Sequence, residues 1–440
     1  MKKIIILLAI LACGVGEVKA DDWYVSGNPA ILNSSSEWGT QPENKMHETS
    51  TAGVYALIVE RKSVTQGAIY DFKITDGTSW YPEGTGDGSN YKITFNATAT
   101  YTIVYYFNSS DHSIRVIATP MLRWNLGNSG NGNWTWDYEE ASLLAKVDDF
   151  TWSYELTPSK FGSQTSASFR LYSSIFGKMA SPSSVNEPIT IGSGDVSSTS
   201  FDGNNNDNCW KIDKPSYDFS KIIIKATYNP YANSDFGQWS VSADAYVSPT
   251  LSYGVATYSV AAPLDFSQAT GVKGYYASAG DASKVTFTKI DGTCAVNTGL
   301  LLLRDGTGPI SIPVAASGTD YTLSNKLKAG TGAPVNSDGL TNCYVLARNN
   351  STGDIHFAKL ASSKEIAVGK AYLELPASAV PAPSLSIFFD DAAGGTTAID
   401  AVKSAEPAVT DGAYYNLEGQ RVTNPTKGLY IVNGRKVVVK

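Results

Sequence analysis

The chain has 440 residues, of which 17% are charged, and its 34 basic and 41 acidic side chains leave a net charge of −7. That balance excludes a nucleic-acid binder working through bulk electrostatics. Aromatics reach 11%, led by 25 Tyr and 9 Trp, while long Ala/Leu/Glu/Lys stretches are scarce, which is the usage of strands and turns and not of a helical protein.

At the N-terminus, Lys2 and Lys3 precede an apolar run from Ile4 to Cys13 that is too short to span a bilayer. Val18-Lys19-Ala20 then places small residues at the −3 and −1 positions of a cleavage site. Together these read as a secretory signal peptide over residues 1–20 and predict export. Ile10-Leu11-Ala12-Cys13 loosely fits a lipoprotein box, the alternative route, in which an acylated Cys13 anchors the chain to a membrane. The remaining chain, about 420 residues, exceeds one ordinary core and predicts roughly three domains.

Strand signals follow almost throughout. Gly53 to Val59 is an apolar run behind a turn, Tyr101 to Phe107 is rich in Tyr, Ile and Val, and Ser113 to Val116 alternates polar with apolar. One helix is predicted after Asp137, where Glu140 completes a capping-box spacing and Leu143, Leu144 and Val147 supply an apolar face. Lys221 to Lys225 reads as a buried strand capped by charges, and Trp239, Val241 and Ala243 alternate with serines.

The first half carries a weak repeat. Asp71-Phe72-Lys73-Ile74 has a counterpart in Ser168-Phe169-Arg170-Leu171, and Tyr91-Lys92-Ile93 in Trp210-Lys211-Ile212. The strand near Gly53 corresponds to the one at Thr151, and Thr98–Tyr106 to Ser220–Tyr228, always in the same order. This predicts one module over 21–119 and a second over 120–249, with seams at Thr119-Pro120 and Ser248-Pro249, since proline ends strands. A third module over 250–391, a linker of low complexity over 392–413 and a compact tail over 414–440 complete the chain. Cys294 and Cys343 fall in the third module, where either a disulfide or two buried thiols is compatible with export; Cys209 lies in the second.

The first module resembles the small β-sandwich starch-binding modules of outer-membrane starch-utilisation binding proteins and pullulanases. The resemblance rests on Trp23-Tyr24-Val25-Ser26-Gly27, Trp38-Gly39, Gly53-Val54-Tyr55, Phe72-Lys73-Ile74 and Trp80, in that order. The second module resembles them more faintly and departs from the pattern in an insert over Ile175–Asn208. The tail, with Asn416-Leu417-Glu418-Gly419, Lys427-Gly428-Leu429-Tyr430-Ile431-Val432 and the terminal Val437-Val438-Val439, resembles a type IX secretion C-terminal sorting domain, although it is shorter than the longest of these. The third module resembles an uncharacterised module that often precedes such tails. These resemblances imply an all-β chain of tandem immunoglobulin-like sandwiches, an outer-membrane or surface location, and glycan-uptake or secretion machinery as partners.

A sugar ring offers a flat C–H face to an aromatic ring and hydroxyls to neighbouring polar groups. Trp38 and the Trp80-Tyr81 pair lie in polar loops, where core aromatics do not normally sit. By resemblance, Trp38, Lys73, Trp80 and Tyr81 form the glycan platform of the first module, whereas Trp23 belongs to the core. In the second module Trp134 and Trp136, if on one strand, share a face, with Arg170 in the place of Lys73, or else they pack on the predicted helix. Asp202 to Asp207 starts like a calcium loop but lacks the required Gly at the sixth position, so no metal is expected. His47, His112 and His356 are scattered, no nucleophile elbow or phosphate loop is present, and Asp148-Asp149 and Asp390-Asp391 are mere sequence neighbours. The reading is a non-catalytic, cofactor-free binder of a polysaccharide, α-glucan by resemblance, with a structural or adhesive surface protein as the alternative.

Overall fold

The computed structural model describes residues 22–390 except 85–86, 128–129, 135–136, 176–178, 181–184, 194–196, 203–207, 233–236, 338–339 and 378–381, together with the tail strands 414–415, 421–422, 428–432 and 435–439. The predicted signal peptide 1–20 and linker 392–413, with Trp136, Asp391 and most of the Asp202–Asp207 loop, lie outside the described residues. The fold is all-β: the described residues form several sheets joined by turns and single 3-10 turns.

The first module is built from two four-stranded sheets. One sets Tyr24–Gly27 and Tyr91–Ile93 against Tyr70–Thr75, which also pairs with Trp80–Tyr81. The other orders His47–Glu48, Val54–Val64, Ala99–Asn108 and Ile114–Ala118, all antiparallel. Trp23, Val25, Phe72, Ile74, Tyr105 and Phe107 are among the residues that fill the space between the two.

The second sheet of this module is apolar on both faces. Tyr55, Leu57, Ile103 and Tyr105 point into the first core, whereas Ala56, Val104, Tyr106 and Ile117 join a second core that reaches Trp124, Trp152 and Trp239 and continues to Leu264 and Val314. Continuous apolar runs such as Val54-Tyr55-Ala56-Leu57 have this cause, since a strand covered on both sides has no face left for polar residues. The prolines at the seams do follow strand ends, but the modules are fused through their cores and are not beads on linkers.

The repeat is visible in the pairing. Asp71 stands opposite Lys92 and Phe72 opposite Tyr91; in the second module Ser168 stands opposite Lys211 and Phe169 opposite Trp210. The insert within Ile175–Asn208 is where the copies part. It contributes Met179–Ala180 and Ser197–Asp202, which pair with each other and with Ser166–Tyr172 and Gln238–Val247, so the two halves of the second module join into one sheet, eleven-stranded when one strand of the third module is included.

The third module centres on a nine-stranded sheet, in which Lys284–Lys289 and Ser384–Phe389 run parallel and the other neighbours antiparallel. It lends Ile312–Pro313 to the edge of Gln238–Val247 in the second module. In the tail, Arg421–Val422, Tyr414–Tyr415, Gly428–Val432 and Arg435–Val439 pair in that order as a small antiparallel sheet.

One expectation is corrected, and the open question of the cysteines is answered. No helix follows Asp137: the segment forms only a 3-10 turn over Glu140–Ser142, and Ala145–Lys146 then pairs with Trp152 and Ser153. Its apolar residues go separate ways, Leu144 into the shared core, Leu143 against the first core and Val147 to solvent, which a single helix face does not allow. Cys294 and Cys343 are not bonded; with Cys209 they are buried free thiols. Burial pushes the Cys294 thiol up to about 11, and Cys343 Sγ donates to the Asn336 carbonyl at 3.4 Å. Iodoacetamide is therefore expected to leave these three cysteines unmodified in the native protein and to alkylate all three in denaturant without reductant. A cysteine pair protected in denaturant, detected by intact mass, would restore the disulfide.

The seam between the first two modules holds a half-buried cation. Lys146 Nζ donates to the Asp149 carbonyl at 2.7 Å and lies 4.4 Å from the Trp152 ring centroid. Desolvation pulls it down from 10.5 to about 8, against the attraction of Asp148 and Asp149. Between those values the unfolded chain binds more protons at this site than the folded one, so this group raises stability as pH rises through the window. Across pH 8 to 10 the difference in urea stability between wild type and Lys146→Met is expected to shift by about 2 kcal/mol in favour of wild type. A difference that stays flat would mean that Lys146 titrates normally.

Candidate binding site

Two loops of the first module carry the aromatic candidates, and local hydrogen bonds set both. After the strand Tyr70–Thr75 the chain reverses through Asp76-Gly77-Thr78-Ser79, with Gly77 at φ +92°, a region open to glycine. Asp76 Oδ1 accepts from the Thr78 and Ser79 amides at 2.8 and 2.6 Å. Thr75 Oγ1 accepts from the Gly77 amide at 3.0 Å and donates to the Ser79 carbonyl at 2.6 Å. Desolvation opposes ionisation of Asp76, but the amides of Ser79 and Thr78 outweigh it and hold the carboxyl below its ordinary range. This turn delivers Trp80 directly opposite Thr75.

The Trp38 loop is tied to the same sheet. The Gly39 amide donates to Ser26 Oγ at 2.6 Å, and Ser26 is buried on the strand Tyr24–Gly27. Thr40 sits beside Gly77, so the two loops touch. The result is a pair of indoles, Trp38 and Trp80, with centroids 6.5 Å apart and planes at 55°. Trp38 is 40% exposed and Trp80 half-buried. Two tilted rings at this spacing form an open angular surface of the size of a sugar face.

Tyr81 follows Trp80 and takes the opposite side of its strand. Its ring lies 6.0 Å from Trp23 and 5.7 Å from Phe107 and stacks on His112 at 4.0 Å. Tyr81 thus flanks the core and does not extend the Trp38–Trp80 surface. Trp23 is buried, as its sequence context predicts.

Lys73 differs from the expectation of a free cation on the platform. It is 5% exposed, and its ammonium donates to the Pro82 and Gly84 carbonyls at 2.7 and 3.0 Å. Its role in the fold is to hold the chain just beyond Trp80. Arg170, its counterpart, is also 5% exposed; its Nε donates to the Asn208 carbonyl at 2.8 Å and its Cζ stands 5.7 Å from the Trp134 ring centroid. Trp134 is half-buried and not on a strand, so the alternation argument for Trp134 and Trp136 does not hold for it. Its loop is pinned by Gly130, where an added Cβ would sit 2.6 Å from the Lys160 carbonyl oxygen.

Sequence reasoning missed Ser26, Asp76 and His112, which position the platform and its flank. Asp76 is legible afterwards as an Asx-type turn residue, whereas the contacts of Ser26 and His112 join residues far apart in the chain.

Of the remaining titratable candidates, the structure pairs His47 with Asp149. Asp148 Oδ1 accepts from the Phe150 and Thr151 amides, Asp149 Oδ1 pairs with His47 Nε2 at 2.8 Å, and Asp390 accepts from Thr288. Among the described residues no group of three or more His, Cys, Asp or Glu is placed to hold a metal ion. No protein-family model matches the chain, and no curated protein is significantly similar to it in sequence.

The arrangement around Lys73 yields a direct test. Lys73→Met leaves two carbonyls without their donor and is expected to cost about 1–3 kcal/mol in urea unfolding and to speed proteolytic cleavage near Gly84. Unchanged stability and cleavage would show that the ammonium is not needed by the loop.

Proposed function

We propose that this chain is a non-catalytic glycan-binding protein of a bacterial outer membrane or cell surface, with α-glucan as its polysaccharide. The observation that carries the reading is the Trp38–Trp80 pair, two indoles from different loops brought together on the surface of the module that resembles starch-binding sandwiches. Stacking on the sugar's C–H face supplies the apolar part of recognition, and the polar loops around Trp38 and Trp80 supply hydrogen bonds to hydroxyls. A second contact at Trp134 adds avidity along one polymer strand. The signal-peptide pattern and the sorting-like tail support export and contact with outer-membrane glycan-uptake or secretion machinery.

Affinity electrophoresis in gels containing starch, pullulan, dextran or no polymer tests this reading. The protein is expected to be retarded in starch and pullulan, and the Trp38→Ala/Trp80→Ala double variant to lose at least tenfold in affinity while remaining folded. Retardation that survives the double variant moves the site to the second module. Free migration in every gel rejects α-glucan and favours the structural or adhesive alternative, and release of reducing sugar from starch would make the protein a glycosidase.

A further inference from the structure

At the seam between the first two modules lies a small pocket of about 90 Å³. It is lined by residues of both modules, Tyr101 and Thr119 from the first and Arg123, Tyr138, Tyr172 and Ser174 from the second. It lies apart from the Trp38–Trp80 pair, and nothing in the proposed glycan function uses it.

Three of its buried polar groups lack a hydrogen-bond partner. Tyr101 is 2% and Ser174 4% exposed; their hydroxyls approach one another, yet neither makes an aligned hydrogen bond. Arg123 Nε is buried and without a partner. The guanidinium face is covered, since Cζ stands 3.9 Å from the Tyr172 ring centroid. Stacking of this kind leaves the edge of the group, with its N–H donors, for in-plane hydrogen bonds. The ion pairs of the described residues do not include Arg123; Asp137 lines the pocket, is exposed, and attracts Arg123 only at a distance.

The strand register places a second arginine beside Arg123. Arg123 stands directly opposite Arg170 across the antiparallel pair Met121–Trp124 and Ser166–Tyr172. Burial pulls the Arg123 guanidinium below its ordinary value. Hydroxyl and guanidinium donors around a partly buried arginine are the chemistry that recognises a planar oxyanion. The volume narrows the choice further. The pocket is smaller than a cavity of about 150 Å³ that seats a benzene ring, so it suits a compact group such as a carboxylate and not a whole sugar ring.

We propose that the seam pocket binds the carboxylate of a small molecule, with Arg123 as counter-ion and Tyr101 and Ser174 as hydroxyl donors. The carboxylate belongs either to a simple alkanoate or to an acidic sugar whose ring stays at the mouth beside Tyr138.

Calorimetric titration of the full chain with sodium acetate, sodium D-glucuronate, glucose and sodium chloride at matched ionic strength tests the site. Saturable heat is expected with at least one carboxylate and with neither control. Acetate and glucuronate binding alike identifies a simple carboxylate site, and glucuronate alone identifies an acidic-sugar site. Arg123→Gln is expected to raise the dissociation constant at least tenfold while starch retardation stays unchanged, which separates this pocket from the platform. If circular dichroism shows Arg123→Gln to be unfolded, Tyr101→Phe decides, with a several-fold weakening expected. Absence of saturation with both carboxylates, saturation by glucose, or a folded variant of Arg123 or Tyr101 with unchanged affinity overturns the proposal.

Discussion

The sheet containing Val54–Val64 and Ala99–Asn108 is buried on both faces, and the rest of the molecule is arranged around that constraint. Alternate residues of a strand point to opposite sides, so each strand must find apolar cover twice. Tyr105 and Phe107 find it inside their own sandwich, and Val104 and Tyr106 find it in the second module. Tyr106 concentrates the arrangement. Its hydroxyl donates to the Asp149 carbonyl, its ring stacks on Phe150, and it approaches Tyr228. Removing the second module would therefore bare the back of the first.

This rigidity matters for both surfaces. The Trp38–Trp80 pair sits at the far side of the first sandwich, in loops fixed to Ser26 and Asp76. Rings held in advance lose little freedom when they meet a ligand, and preorganisation of that kind raises affinity without adding contacts. The seam pocket owes its existence to the fusion itself, because Tyr101 and Arg123 come from different modules and meet only when these are packed together.

Much of the fold was legible before any coordinates. Strand positions followed from alternation and from β-branched and aromatic runs, and the repeat of Asp71–Ile74 in Ser168–Leu171 reappears as a shared pairing register. What stayed hidden depended on distant partners. Asp137 to Val147 has the spacing of an amphipathic helix, but two separate cores claim Leu143 and Leu144 and pull the segment extended. Lys73 and Arg170 read as exposed cations because nothing local shows that Pro82, Gly84 and Asn208 bring carbonyls to them. Trp38 and Trp80 were recognisable because an indole in a polar loop has no core of its own to enter, although their contact with one another was not.

The parallel pairing inside the third sheet bears on the order in which the chain becomes structured. Phe287 waits for Phe389, a partner 102 residues further along, the same separation that divides Thr288 from Asp390. A chain emerging from a ribosome or a membrane channel with its N-terminus leading completes the first sandwich early. Lys284–Lys289 is then a raw edge with hydrogen-bonding groups unpaired until Ser384–Phe389 arrives, in the middle of the sheet and not at its rim. This strand, the last described before the tail, thus acts as a keystone. Any passage through a narrow channel has to be finished, or the edge shielded, before the third module sets.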